Sequence, residues 1–355
     1  MQYKKILITG GAGFVGSTVA LHIRKIYPES EVIALDNLMR RGSELNLPRL
    51  KNAGVAFIHG DVRNPEDLSM SGVDLLIECS AEPSVMAGVG SSPEYLLQTN
   101  LIGAVNCFEL ARKNKADIIF LSTSRVYPVE LLNKLMVQEL PTRFELKKSQ
   151  HLPGVSPKGL TEAFPLSGTR TMYGATKLSA ELILTEYIHT YGIRAVINRC
   201  GLIAGPWQMG KTDQGVITYW MAHHMFNRPL TYIGFGGTGK QVRDVVHVDD
   251  IADLIGIQMN MMDKITGETF VVGGGEKNTV SLAELTDYCQ KISGKTVNVT
   301  SDKKTREGDI AWYCSDNSHV VKRTGWKPKL TVRQTLADIY TWITTHPEPL
   351  RNVLA

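Results

Sequence analysis

Tyr173 and Lys177 stand four residues apart at the head of an amphipathic run that extends to Thr190. Residues i and i+4 share a helical face, so a phenol and an ammonium at this spacing can sit over one small molecule. A free tyrosine titrates near ~10, too high for a base at neutral pH. A lysine cation nearby favours the phenolate and lowers that value. The pair is therefore a candidate general acid/base close to working pH. The same spacing also arises by chance on any amphipathic helix, with the Tyr at a core edge and the Lys solvated. The rest of the chain decides between these readings.

The N-terminal stretch supplies what such a pair would act with. Lys4–Thr9 is short, apolar and β-branched, as a buried parallel strand requires. It runs into Gly10-Gly11-Ala12-Gly13-Phe14-Val15-Gly16, after which an amphipathic helix is predicted to about Tyr27. Glycines at 10, 13 and 16 let the backbone approach a pyrophosphate, while the helix start offers N–H groups and a positive dipole end. A tight packing turn would also use glycines. A second strand, Glu31–Leu35, ends in Asp36, twenty residues beyond Gly16. That is where a carboxylate meets the adenosine ribose hydroxyls of NAD. Arg40 and Arg41 follow and could receive the 2′-phosphate of NADP instead, or simply be solvated. Asp36 at the strand end would repel that phosphate, so NAD is the expected cofactor.

Strand and helix signals keep alternating. Val55–Ile58 leads to Asp61, whose carboxylate can accept from an adenine amino group. Asp74–Cys79 runs into Ser80-Ala81-Glu82-Pro83-Ser84-Val85, and Asn100 is expected to open a helix to about Lys113. Asp117–Leu121 ends in Ser122-Thr123-Ser124-Arg125-Val126-Tyr127, and Ile193–Cys200 reads as a sixth strand. This pattern predicts an α/β fold of the Rossmann type, a doubly wound parallel sheet with its ligand across the strand carboxyl ends. Residues 1–200 are expected to form that domain, with an insertion over 128–162 and a returning segment near 241–258. Residues 201–355 are expected to form mainly a smaller C-terminal substrate-binding domain. There a helix from Ser281, a strand near Val297–Val299 and a final helix over Val332–Thr344 are predicted. Asp249-Asp250 should begin a helix, where acidic side chains suit the dipole.

Composition narrows the classes. A chain of 355 residues has room for one large α/β unit or two smaller domains. Its net charge of +4 is scattered, with no long basic run, which argues against nucleic acid as a partner. The five cysteines are far apart, and the nine histidines lack ligand spacing, so no metal site or disulfide framework is expected. No apolar run approaches the ~20 residues of a membrane span. The lysines after Met1 lead straight into a strand, so no leader peptide is expected, and a cytoplasmic location is the default.

The motifs together resemble the extended short-chain dehydrogenase/reductases, the family of nucleotide-sugar epimerases and dehydratases. The carrying residues are Thr9–Gly16, Asp36-Asn37-Leu38, Gly60-Asp61-Val62-Arg63, Asn100, Ser122–Tyr127 and Tyr173–Lys177. The resemblance implies that Thr123 joins Tyr173 and Lys177 as a catalytic residue, hydrogen-bonding the reacting sugar oxygen as its charge changes. It adds Asn37, Val62, Ser80, Ala81, Asn100 and Ser122 to the cofactor contacts, alongside Tyr173 and Lys177 themselves. Sugar 4,6-dehydratases carry an Asp-Glu pair directly after the threonine; this chain has Ser124 and Arg125. Elimination of water would then lack its acid and base.

The segment Pro128–Glu162 delays the catalytic Tyr relative to the common family pattern. Within it Leu131–Val137 reads as a short helix and Lys147–Gly159 as a loop. It could be a lid over a sugar site or a surface excursion without a role. A similar insertion occurs in the CDP-paratose 2-epimerase subfamily, as do stretches like Lys211–Gly215 and Gly236–Asp250. Ser124, Arg125, Gln214, Arg243 and Arg306 are the candidate substrate contacts. A planar guanidinium grips a diphosphate with two N–H bonds, though salt bridges to Asp244 or Asp309 would equally account for the last two arginines. The resemblance implies an NAD-dependent nucleotide-sugar epimerase, acting on a CDP- or UDP-linked substrate by transient oxidation of a sugar carbon, and a homodimer or higher oligomer. C2 is the carbon the subfamily implies; a 4-epimerase uses the same three catalytic residues. A non-catalytic dinucleotide sensor would not need them.

Overall fold

The computed structural model describes residues 3–211 and 214–354, so Met1, Thr212 and Asp213 of the stretches above lie outside the described residues. Seven parallel strands form one sheet: β1 (Lys5–Thr9), β2 (Glu31–Asp36), β3 (Ala56–His59), β4 (Leu75–Glu78), β5 (Asp117–Thr123), β6 (Ala195–Cys200) and β7 (Thr269–Val272). Their spatial order is β7-β6-β5-β4-β1-β2-β3. The chain therefore winds one way from β1 to β3 and the other way from β4 onward. The reversal leaves a crevice between β1 and β4, where a dinucleotide binds in such folds.

Alternation within β1 explains why helices cover both faces. Ile6 and Ile8 enter one core with Val19 and Ile23 of α1 (Phe14–Ile26). Leu7 enters the other with Phe108 of α2 (Gly103–Asn114) and Leu184 of α3 (Met172–Tyr191). Each such side chain is fully buried and contributes about 1.5–3 kcal/mol relative to exposure. The first core also takes Ile251, Leu254 and Ile255 of α4 (Val248–Ile265), the helix that Asp249 and Asp250 begin. The returning segment is therefore longer than the sequence suggested, because β7 adds the outermost strand beside β6.

A third core belongs to the C-terminal part, where helices Val216–Met225, Leu282–Ser293 and Val332–Thr345 meet around Trp220, Leu285 and Leu336. Strand Val242–His247 pairs there with Leu202–Ala204 and Thr279–Ser281, outside the large sheet. The strand expected near Val297–Val299 instead runs Val299–Asp302.

The insertion has a core of its own. Leu132, Leu135 and Leu160 pack with Phe164, Ile310, Trp312 and Tyr313. Its helix is Val129–Leu132, earlier than expected, and the presumed loop contains the pair Val155–Ser156 and Gly159–Leu160. A second hairpin, Val137–Glu139 with Phe144–Leu146, is tied at its tip to the C-terminal part, where Arg143 reaches Glu284 and Thr279. None of residues 128–162 borders the two cavities described next.

Candidate active site

The Gly10–Gly16 turn is closed by backbone contact. Gly10 has a φ of +63°, and a Cβ on Gly16 would lie 2.2 Å from the Gly10 carbonyl oxygen. Side chains are therefore excluded where α1 begins. Gly13 caps α1 without any side-chain bond, leaving the first-turn N–H groups to a ligand. Asp36 ends β2 beside this turn; its carboxylate accepts from the N–H groups of Ala12 (3.1 Å) and Leu38 (2.8 Å). Burial still pushes the Asp36 carboxyl above its usual range despite these bonds. Two more donors from ribose hydroxyls would relieve that cost. A cavity of about 270 Å³ joins the Gly10–Gly16 turn, Asp36, Asn37, Val62, Ser80, Ala81 and Arg40. The residues fit a dinucleotide with its ribose on Asp36 and its phosphates at α1.

Three expected cofactor contacts, Asp61, Asn100 and Ser122, have partners within the protein, and Ser122 also borders the second cavity. Asp61 does not border the cavity; Arg63 and Asn37 (2.9 Å) take its oxygens, and the guanidinium holds its carboxyl down at about 2. Asn100 does not open a helix. It lies in a wide turn, Gln98–Ile102, of a helical run that starts at Glu94, where its amide clamps the backbone of Glu82 at both ends. It thus positions the Ser80–Val85 loop and leaves the cavity edge to Thr99. The Ser122 hydroxyl is turned to buried Glu181, itself paired with Arg199 at 2.7 Å. That ion pair fastens α3 to β6, which fixes the helix carrying Tyr173 and Lys177.

A second cavity, about 350 Å³, shares Phe14, Ala81 and Gln214 with the first and ends among Thr123, Ser124, Arg125, Tyr173, Lys177, Arg243 and Arg306. The three expected catalytic residues are thus brought together. Thr171 caps α3, and Gly174 follows Tyr173 because a Cβ there would sit 2.1 Å from the Arg125 carbonyl oxygen. Burial pushes Tyr173 up to about 12, against the pull of Thr123 and Arg125. Thr123 is the largest influence holding the phenol down. Lys177 is occupied elsewhere, 3.4 Å from Glu78 and 4.1 Å above the Phe120 ring. Glu78 escaped the sequence reading, although a Glu in the apolar run Leu75-Leu76-Ile77-Glu78 was a signal.

The arginines divide. Arg306 pairs with Asp309 at 3.3 Å, the structural role weighed for it, yet still borders the cavity. Among the described residues Arg243 forms no ion pair with a carboxylate: it donates to the carbonyls of Val242 and Ile310, both at 2.7 Å. Burial, reinforced by the charge of Arg125, pulls its guanidinium down to about 9. Arg125 itself donates to the Gly308 carbonyl at 3.0 Å. Two crowded cations favour an anionic ligand. The side-chain oxygens of Gln214 and Gln241, both at the cavity, are buried without a partner among the described residues.

The sequence matches the NAD dependent epimerase/dehydratase family over residues 6–273. The chain belongs to that family. Among curated relatives, CDP-paratose 2-epimerase of Salmonella typhi is 28% identical, over 95% of this chain and 98% of its own length. A putative UDP-glucose 4-epimerase of Methanocaldococcus jannaschii is 27% identical, over 95% and 98%. Family members with solved structures share the fold. UDP-glucuronic acid 4-epimerase from Bacillus cereus, in complex with UDP-glucuronic acid and NAD, superposes with a TM-score of 0.76 at 24% identity, covering 96% of this chain and 99% of that one. The family is NAD-dependent, as the Asp36 carboxylate leads one to expect. Among the described residues, no helix is long and apolar enough to cross a membrane, and no group of ligating side chains could hold a metal ion.

Proposed function

We propose that the protein is a nucleotide-sugar epimerase that oxidises one sugar carbon transiently and restores it with inverted configuration. The observation that carries this reading is the acid/base inventory around Thr123. Ser124 and Arg125 follow it, in place of an Asp-Glu pair. Among the described residues, the carboxylates that border the cavities are engaged: Asp309 by Arg306, Glu82 by the N–H of Ser84 at 3.1 Å, and Asp36 by the N–H groups of Ala12 and Leu38. Tyr173 and Thr123 remain as the proton-handling pair, enough for oxidation and reduction at one carbon but not for loss of water.

Bound NAD would supply the hydride acceptor and donor, held at the glycine turn and by Asp36. Tyr173 takes the proton from the sugar hydroxyl and later returns it to the carbonyl oxygen. Thr123 hydrogen-bonds that oxygen as its charge changes. Arg243, with Arg125 and Arg306 nearby, holds the diphosphate, which lets the sugar turn while the nucleotide stays anchored. The likeness to CDP-paratose 2-epimerase over nearly the full length favours C2 and a CDP-sugar. A 4-epimerase acting on a UDP-sugar is the second reading, supported by the 27% identity to UDP-glucose 4-epimerases. The test is proton NMR of candidate sugars deuterated at C2 or at C4. Retained label with inversion at one carbon, no solvent deuterium and no 4-keto-6-deoxy product is the expected result. Wash-in from solvent would overturn the mechanism, and inversion at C4 alone would replace the first reading by the second.

A further inference from the structure

Beneath the proton-handling pair lies a second set of charges that the chemistry above does not use. Glu78 ends β4 and Lys177 stands on α3, with side chains 1% and 2% exposed. Their closest approach, 3.4 Å, is loose for a charged pair in so dry a place. The other Glu78 oxygen accepts from the Ser80 hydroxyl, which in turn lies 3.5 Å from the Thr9 hydroxyl. Glu78 is thus held from β4 and β1, while Lys177 is drawn to it across the Phe120 face. No other ion pair is made by Lys177 among the described residues.

We infer that Glu78 is a positioning residue for the oxidation: as half of a buried ion pair it holds the Lys177 ammonium at the floor of the site and limits the help that cation gives to Tyr173. The inference rests on the reading of Tyr173 as the acid/base. A bare ammonium one helical turn from the phenol would favour the phenolate, as the sequence led us to expect. Paired with Glu78 in so buried a place, the cation presents little net charge to the phenol. The other titratable groups around the pair cannot take the place of Glu78. Cys79, Cys107 and Cys200 face Lys177 from β4, α2 and β6, but burial pushes each thiol up and leaves it neutral. Arg125 and Glu82 act on the phenol with opposite signs from their own loops.

Removing the anion while keeping the shape should free the cation. In the full chain with NAD bound, Glu78→Gln should lower the pH at which Tyr173 ionises by at least about one pH unit. Glu78→Asp, which keeps the charge but shortens its reach, should lower it by less. The measurement is NMR of protein whose tyrosines carry heavy carbon at Cζ. The Tyr173 signal is the one lost in Tyr173→Phe. A merely structural carboxylate would change the melting temperature and leave this midpoint in place. An unchanged or raised midpoint in whichever variant folds refutes the inference. Because the titration needs no substrate, it stands apart from the acid/base reading, which fails separately if Tyr173→Phe retains turnover.

Discussion

Arg243→Met should leave the free protein nearly as stable as the parent while loosening its hold on nucleotide. The guanidinium sits half-buried without a carboxylate ion pair among the described residues, pulled from the usual arginine range to about 9 by burial and by Arg125. At about 1.4 kcal/mol per pH unit, that drop sets an upper bound near ~5 kcal/mol on the cost of keeping it charged. Solvent screening of a half-buried group cuts this to roughly 2–3 kcal/mol. Against it stand the charge-assisted bonds to the Val242 and Ile310 carbonyls, worth at least about 1.5 kcal/mol each. At that lower value the terms nearly cancel, leaving Met, which is flexible enough to fill the space, at a cost between zero and about 1 kcal/mol. A cation whose folded value is depressed weakens the fold below that value, and the penalty lifts as pH rises from about 9 toward the unfolded value. The cost of Met should therefore be smallest at neutral pH and grow above pH 9. Binding should move the other way: two charge-assisted bonds to a diphosphate are each worth about 1.5–3 kcal/mol, so affinity should fall at least ~10-fold. Thermal melts across pH, with calorimetric titration of UDP and CDP, measure both. A variant that melts more than ~1 kcal/mol earlier yet binds both nucleotides as before would make Arg243 a strut and refute the reasoning.

Denaturing the purified protein should release NAD(H), and Asp36→Asn should narrow its preference over NADP(H); release of mainly NADP(H) would shift the assignment to Arg40 and Arg41. Gly16→Ala forces a Cβ to 2.2 Å from the Gly10 carbonyl oxygen, so the turn must open. NAD affinity should fall more than the ~1–3 kcal/mol loss of stability accounts for, as fluorescence titration beside a melt would show. Tyr173→Phe keeps the ring and loses the proton carrier, so turnover should drop at least ~100-fold with NAD binding intact; a nearly normal rate would remove Tyr173 from the mechanism.

The sheet was legible because its determinants are local. A parallel strand buried on both faces needs a short apolar run, and the glycine turn needs residues without side chains; both are visible in Ile6–Gly16. Strand β7 was missed because Thr269–Val272 is four residues long and acquires its place only through β6. The paired strands of the insertion were not foreseen for a related reason. Its polar composition hides Leu132, Leu135 and Leu160, whose partners Ile310, Trp312 and Tyr313 lie far along the chain. Asn100 was found, but with the wrong contact, since type and position do not say which way an amide points.

Electrostatics was the least legible layer, and the error has a definite form. The spacing of Tyr173 and Lys177 is a property of one helix, and it correctly placed both at the cavity. The effect of the lysine on the phenol depends on a third residue from β4 that is 99 positions away in sequence. Helical periodicity carries no information about such a contact. The same limit applies to Arg243, whose neighbour Asp244 suggested a salt bridge. Adjacent residues on a strand point to opposite faces, and the Asp244 carboxylate is taken by the N–H groups of Gly275 and Ser315. Arg243 is thereby left facing the cavity with its charge unmatched, which is the condition that a diphosphate would relieve.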